Sequence, residues 1–242
     1  MTIQPEQTVR EIVAQSSEVV GILEDHGIDY CCGGNRSLAA ACRERGIDWA
    51  SIAKQIEAAG TVNTANQPDW SAASLVELIR HIVSVHHAYL HQELPRLADR
   101  LERVQKAHAK DAAILTPLGE LCRVLREELD GHLLKEERVL FPFIEQMEKA
   151  MEEHRPGPAL PFGAFGNPIR TMEHEHDDAG HALAEIRRLT GNFALPAHAC
   201  NTYRALYSGL QKLERDLHQH IHLENNVLFP RALALEARQM RN

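Results

Sequence analysis

One pattern occurs twice in this chain, and it limits the fold more than any other feature. Residues 132–142 read His-Leu-Leu-Lys-Glu-Glu-Arg-Val-Leu-Phe-Pro, and residues 220–230 read His-Ile-His-Leu-Glu-Asn-Asn-Val-Leu-Phe-Pro. In both copies a His is followed four places later by a Glu, then at matched offsets by Val-Leu-Phe-Pro. Positions i and i+4 of a helix lie one above the other. His132 with Glu136, and His220 with Glu224, therefore each offer a nitrogen and a carboxylate to one point. The repeat extends upstream, since His87 precedes His132 by 45 residues and His176 precedes His220 by 44. Each half is then a helix with one inward His followed by a helix with inward His-x-x-x-Glu.

Apolar periodicity supports four long helices: about 74–103, 117–148, 168–189 and 199–236. The first carries Ile79, Val83, His87, Leu90, Leu94 and Leu97 on one stripe, although Ile79 and Ile82 put His86 almost equally well inside. The second aligns Leu118, Leu121, Leu125, His132 and Glu136 with Val139 or Leu140, and the third aligns Met172, His176, Ala179, Leu183 and Ile186. The fourth gives the cleanest stripe, Leu206, Leu210, Leu213, Leu217, His220, Glu224 and Val227. His174 and His181 fall on a polar face, and His218 and His222 lie off the stripe, where they are expected to be solvated. Two hairpins of this kind make a four-helix bundle with a site in its core.

Burying four imidazoles and two carboxylates without partners is expensive, about 1–3 kcal/mol for each unsatisfied polar group and more for an unpaired carboxylate. A metal removes that cost. Six donors exceed what one tetrahedral zinc needs, but they suit two ions, each taking two His from one hairpin and sharing both Glu as bridges. Imidazole with carboxylate favours iron or manganese over thiolate-loving metals, so a di-iron centre is expected. Two carboxylates cancel less charge than the four Glu of ferritin-like sites, which eases retention or release of iron(II). Glu175 and Glu128 are either outer partners of the ligands or solvated carboxylates. The competing reading is a metal-free buried hydrogen-bond network.

Residues 1–59 read as a small helical domain. Thr8-x-x-Glu11 is a capping box, Ser16 or Ser17 opens a second helix to about His26, Ser37 a third and Asp48 a fourth. Between the second and third, Asp29-Tyr30-Cys31-Cys32-Gly33-Gly34 forms a tight turn expected to expose two adjacent thiols. Consecutive cysteines rarely bond to each other, so Cys31 and Cys32 are candidates for exchange with a partner, metal binding or a link to a second subunit. The alternative, that Cys is a small buried hydrophobe, applies more strongly to Cys42, Cys122 and Cys200. Residues 60–71 read as a linker, and 72–242 as the bundle domain, interrupted by a Pro- and Gly-containing segment, 155–168, expected to pack over one end of it. Aromatics are only 5% of residues while Ala, Leu, Glu and Arg dominate, so an all-α fold is expected. A formal net charge of −8 argues against a nucleic-acid binder working through phosphate neutralisation. No apolar run approaches the roughly 18 residues of a membrane span and nothing resembles a signal peptide, so no membrane association and a cytoplasmic location are expected. The odd cysteine count suits a reducing compartment.

At these residues the chain resembles the bacterial Repair of Iron Centers proteins, hemerythrin-like di-iron proteins associated with nitrosative and oxidative stress responses. The resemblance lies in Asp29-Tyr30-Cys31-Cys32-Gly33-Gly34, in Glu175-His176-Asp177-Asp178-Ala179-Gly180 and in Leu223-Glu224-Asn225-Asn226-Val227-Leu228-Phe229-Pro230. It implies a small N-terminal domain followed by a hemerythrin-like four-helix bundle holding two iron ions per chain, carboxylate- and oxo-bridged. Carried over, the family's iron ligands fall on His87, His132, Glu136, His176, His220 and Glu224, with Leu94-Pro95 favouring His87 over His86. The implied function is repair of iron–sulfur clusters damaged by nitric oxide or peroxide, acting as an iron donor to damaged or apo iron–sulfur proteins. Cys31 and Cys32 carry over as a redox or docking pair, with a homodimer as one arrangement they allow. Two alternatives stand beside this: an enzyme, a nitric oxide reductase turning over at the same centre, and a hemerythrin-like module that binds or senses oxygen.

Overall fold

A computed structural model of the protein describes residues 3–15, 18–31, 34–59 and 69–240. These contain eight helices, and their one β feature is an isolated bridge between Thr8 and Ser37. No helix among them is long and apolar enough to cross a membrane. The chain divides into two compact units, residues 1–74 with 221–231, and residues 75–220 with 232–242.

The first unit contains α1 (Val9–Gln15), α2 (Glu18–Asp25), α3 (Leu38–Glu44) and α4 (Trp49–Ala59). Their starts follow from local chemistry. The Thr8 hydroxyl accepts from the Glu11 amide while the Glu11 carboxylate accepts from the Thr8 amide, so two orphan donors of α1 are satisfied reciprocally. The Ser37 hydroxyl accepts from Ala40 N–H, and Asp48 accepts from Ala50 N–H. Proposed caps Ser16 and Ser17, and most of the expected linker, lie outside the described residues. Val9, Ile12, Leu23, Leu38, Cys42, Ile52 and Ile56 close the unit's core at 0% exposure. Cys42 is thus the buried apolar residue that its type suggests.

The second unit is built on α5 (residues 75–107), α6 (112–152), α7 (Gly166–Leu189) and the early part of α8 (201–239). Leu90, Leu94, Leu97 and Leu101 of α5 pack with Leu118 and Leu125 of α6, Leu183 and Ile186 of α7, and Leu206, Leu210, Leu213 and Leu217 of α8. Each such burial is worth about 1.5–3 kcal/mol. A bidentate pair between Arg187 and the buried Glu214 ties α7 to α8, with Nε to Oε1 at 2.9 Å. The segment before α7 is anchored by its aromatic residues: Phe162 meets Phe143 edge-to-face and packs at a tilt on Phe165, and the buried Phe165 donates its N–H to Glu236 at 3.0 Å.

Three of the long helices widen from α to π geometry, over Ile82–His87 in α5, Glu136–Leu140 in α6 and Glu224–Leu228 in α8. In the last two, the amides of Phe141 and Phe229 reach back five residues, to the carbonyls of Glu136 and Glu224. The repeated Val-Leu-Phe-Pro supplies the reason. Pro142 and Pro230 have no N–H for the carbonyl four residues earlier, and their rings crowd it, so the backbone opens at that turn.

Candidate metal centre

Every one of the six inward His and Glu residues sits at or beside one of these π turns or directly opposite them. His87 ends the first π turn, Glu136 and Glu224 begin the other two, and His132 and His220 lie one turn earlier on the same helices. His176 comes from the middle of α7. All six are between 0% and 3% exposed.

They form two groups whose donor atoms lie within 4.8 Å of one another: His87, Glu136, His220 and Glu224, and His132, Glu136, His176 and Glu224. Both carboxylates belong to both groups. Nε2 of His87 is 3.2 Å from Nε2 of His220, and Nε2 of His176 is 3.0 Å from Nε2 of His132. The expected pairing, two His from one hairpin on each ion, is therefore corrected. Each group draws one imidazole from each hairpin, because facing side chains in a bundle core come from neighbouring helices and not only from sequence neighbours.

Glu136 tests whether a cation fits. It is fully buried, and among the described residues neither of its oxygens has a hydrogen-bond partner. One oxygen faces His87 Nε2 at 3.5 Å and the other faces His132 Nε2 at 3.4 Å. A buried carboxylate aimed this way at two imidazoles is costly alone and well suited to bridging two cations. The hydrogen bonds behind the rings point the same way. His87 Nδ1 is 2.8 Å from Glu137 Oε1, and His132 Nδ1 is 2.8 Å from Glu175 Oε2. An ionised carboxylate only accepts, so each Nδ1 carries the proton and each Nε2 turns a lone pair inward. Burial works against ionisation of Glu175, but hydrogen bonds from Lys135 and His132 hold its carboxyl below its ordinary value.

Glu175 is thus an outer partner of His132 and not the solvated carboxylate that was the stronger expectation for it, whereas Glu128 is exposed. Glu137 was missed, since it lies off the apolar stripe, yet its place beside Glu136 was a usable signal. His86, the rival to His87, is buried as well, but it bonds Asp216 at 3.0 Å and stacks on the His220 ring with centroids 5.6 Å apart. The π turn is what lets two consecutive histidines both point inward.

Three other expectations change. His222 is buried, not solvated: its Nδ1 meets Asn226 Nδ2 at 2.9 Å, its ring packs on Tyr30, and burial holds its pKa down to about 4. Cys31 is buried too, with its Sγ and amide both directed at Asp29 Oδ1, so this thiol is not displayed on the turn. Cys32 lies outside the described residues. Cys200 is exposed, and its thiol is held down to about 7 by a hydrogen bond with His108 and by the Tyr203 and Thr202 amides.

Comparison with known proteins gives two domain matches. Residues 5–60 match ScdA_N, a domain of unknown function, and residues 78–232 match the Hemerythrin HHE cation binding domain. Over nearly the whole length, the chain is 37% identical to the iron-sulfur cluster repair protein YtfE of Cronobacter sakazakii, with 96% of this chain and 98% of that protein covered. The protein of the same name from Escherichia coli O157:H7 is also 37% identical over 96% of this chain and 98% of its own. The His/Glu groups and the cation binding domain together fit iron binding.

Proposed function

Since the chain belongs to the Repair of Iron Centers family, we propose that it repairs iron–sulfur clusters damaged by nitrosative or oxidative stress, delivering iron to its clients. In this reading two irons are held per chain, one for each group, with His87, His132, His176 and His220 as terminal ligands and Glu136 and Glu224 as bridges. The observation that carries it is Glu136: a carboxylate shared by both groups, fully buried, whose oxygens find no hydrogen bond among the described residues.

Bound iron supplies a releasable, redox-active cation. The chain's own residues set how tightly it is kept. Glu137 and Glu175 hold protons on Nδ1 of His87 and His132, so those rings present neutral donors in one orientation. Only two of the six donors are anionic, which favours the lower charge of iron(II) and makes the cargo easier to surrender. The clients are iron–sulfur proteins with damaged or empty sites, and Cys31 with Cys32 is proposed as a redox pair and not as a docking contact, because Cys31 is buried.

The test is metal content after anaerobic purification, followed by incubation with an apo iron–sulfur protein. Two irons per chain, one for each group, that appear in a rebuilt cluster support the donor reading. Iron that stays bound while nitric oxide is consumed at the expense of an electron donor replaces it with a reductase. Zinc, or a folded chain without metal, overturns the centre.

A further inference from the structure

The last long helix opens on a residue that seldom opens one. Cys200 directly precedes α8, and its carbonyl accepts the first intrahelical bond, from the Arg204 N–H at 3.0 Å. That is the N-cap position, usually filled by Ser, Thr, Asp or Asn, whose side-chain oxygen accepts from amides of the first turn. Here a sulfur fills it, and the amides of Tyr203 and Thr202 bond to Sγ. A thiol is a weak acceptor and a thiolate a stronger one, so this position and the positive end of the helix dipole both favour the ionised form. A side chain acts on the same atom. Nε2 of His108, from the loop before α6, is 3.2 Å from Sγ. His108 is buried and meets the buried Tyr203 ring edge-on, with centroids 5.2 Å apart. On the opposite edge of the imidazole, Nδ1 faces Oδ2 of Asp111 at 4.0 Å, and that oxygen is held by His198 Nε2 at 2.7 Å. Thiol, imidazole and carboxylate therefore stand in sequence across one ring. The cysteine at the head of that sequence is exposed.

We propose that Cys200 is a reactive thiol, activated by His108 and Asp111, that takes up low-molecular-weight disulfides of the glutathione class as a reversible mixed disulfide. The arrangement is that of an activated nucleophile: a thiol within reach of a base whose far nitrogen faces an orienting carboxylate. His108 takes the thiol proton at Nε2, and Asp111 balances the positive charge that then lies on the ring. The thiolate attacks one sulfur of the disulfide, so that a bond from Sγ forms as the incoming S–S bond breaks. The second sulfur leaves as a thiolate and collects the proton from His108. Cys200 is oxidised as the leaving half is reduced to a thiol, and no other oxidant is required. Burial sets other cysteines apart: it pushes the Cys122 thiol up to about 12 and raises that of Cys42, whereas the His108 bond and the helix amides hold Cys200 down to about 7. The site is separate from the metal centre. His108 follows His87 by a helix of 20 residues, which spans about 30 Å at 1.5 Å per residue. Nor does it share a residue with the Cys31 and Cys32 pair.

The iron-loaded full chain is incubated anaerobically with oxidised glutathione, and the mixed disulfide is located by peptide mass spectrometry. Cys200 is expected to be modified ahead of every other cysteine, the adduct to be removed by dithiothreitol, and Cys200→Ser to lack it while its hydroxyl still caps the helix. Alkylation of Cys200 by iodoacetamide, followed against pH in the parent, should have its midpoint at about 7, against about 8.5 for an ordinary thiol. His108→Gln should raise that midpoint toward the ordinary value and slow the reaction with oxidised glutathione at pH 7 about three-fold, since the loss of thiolate is partly offset by the stronger nucleophile that a higher pKa gives. Unchanged iron content reports that the variant has folded; if it has not, the pH profile of the parent decides alone. A parent midpoint at or above the ordinary value, a profile unmoved in folded His108→Gln, or Cys200 modified no sooner than the other cysteines overturns the proposal.

Discussion

Glu136 is the residue where the cost of the metal centre is concentrated, because its charge is fully buried and neither oxygen is hydrogen-bonded among the described residues. Glu136→Gln keeps the shape and removes the charge. It should lose half or more of the iron, measured per chain, yet its metal-free form should melt at a higher temperature than the metal-free parent, since an uncompensated buried charge is gone. A lower melting temperature for the metal-free variant would mean that the carboxylate is satisfied without a cation. Glu137→Gln is expected to lower iron affinity by about 10–100-fold with the fold intact, as outer carboxylates on metal-binding imidazoles do. His222→Ala behaves differently. It gives up the Asn226 contact and the packing on Tyr30, so thermal melting should show a loss of about 1–3 kcal/mol while the iron count stays level. These residues also mark what the sequence can reveal. His132, Glu136, His220 and Glu224 were legible because their spacing matches the turn of a helix. His222 was not, because what buries it is Tyr30, far away in the chain, and periodicity along one helix is blind to that. The carbonyl of Tyr30 and Asn226 form a hydrogen bond that is equally invisible from local pattern.

The helices were recognisable as elements, from stripes and caps, but their π turns were not. A wider turn keeps an approximate i+4 rhythm on either side and leaves no gap in an apolar pattern, which is why His86 and His87 competed in the sequence. The repeated proline is the local cause in α6 and α8. Pro142→Ala restores a donor for the carbonyl of Arg138 and lets the helix close to α geometry. The expected outcome is a higher melting temperature together with faster loss of iron to a chelator, because Glu136 is rotated away from its place between the two groups. Unchanged iron retention would show that the π turn is held by tertiary packing alone. Close approach of elements gives a second check. A Cβ at Gly34 would lie 2.9 Å from the Tyr30 carbonyl and 3.2 Å from Asn226 Oδ1. Gly34→Ala should therefore cost about 1–3 kcal/mol by overpacking, read from denaturant unfolding.

For the molecule as a whole, binding to the folded state alone adds stability by mass action, about 4 kcal/mol when free metal is a thousand times its dissociation constant. Removing iron with a chelator should lower the melting temperature of the parent, and much less that of Glu136→Gln; equal shifts would separate the metal from the shared carboxylate. The crossing of imidazoles between the hairpins carries one more consequence. Neither α5 with α6 nor α7 with α8 contains all four donors of either group, so neither hairpin completes a site by itself. The full donor set exists only when both hairpins are in place. Coordination by all four donors follows only after both halves have met, and a chain cut between Arg155 and Phe165 would complete it only as the reassembled pair, making full coordination of iron a clock for the last step of folding.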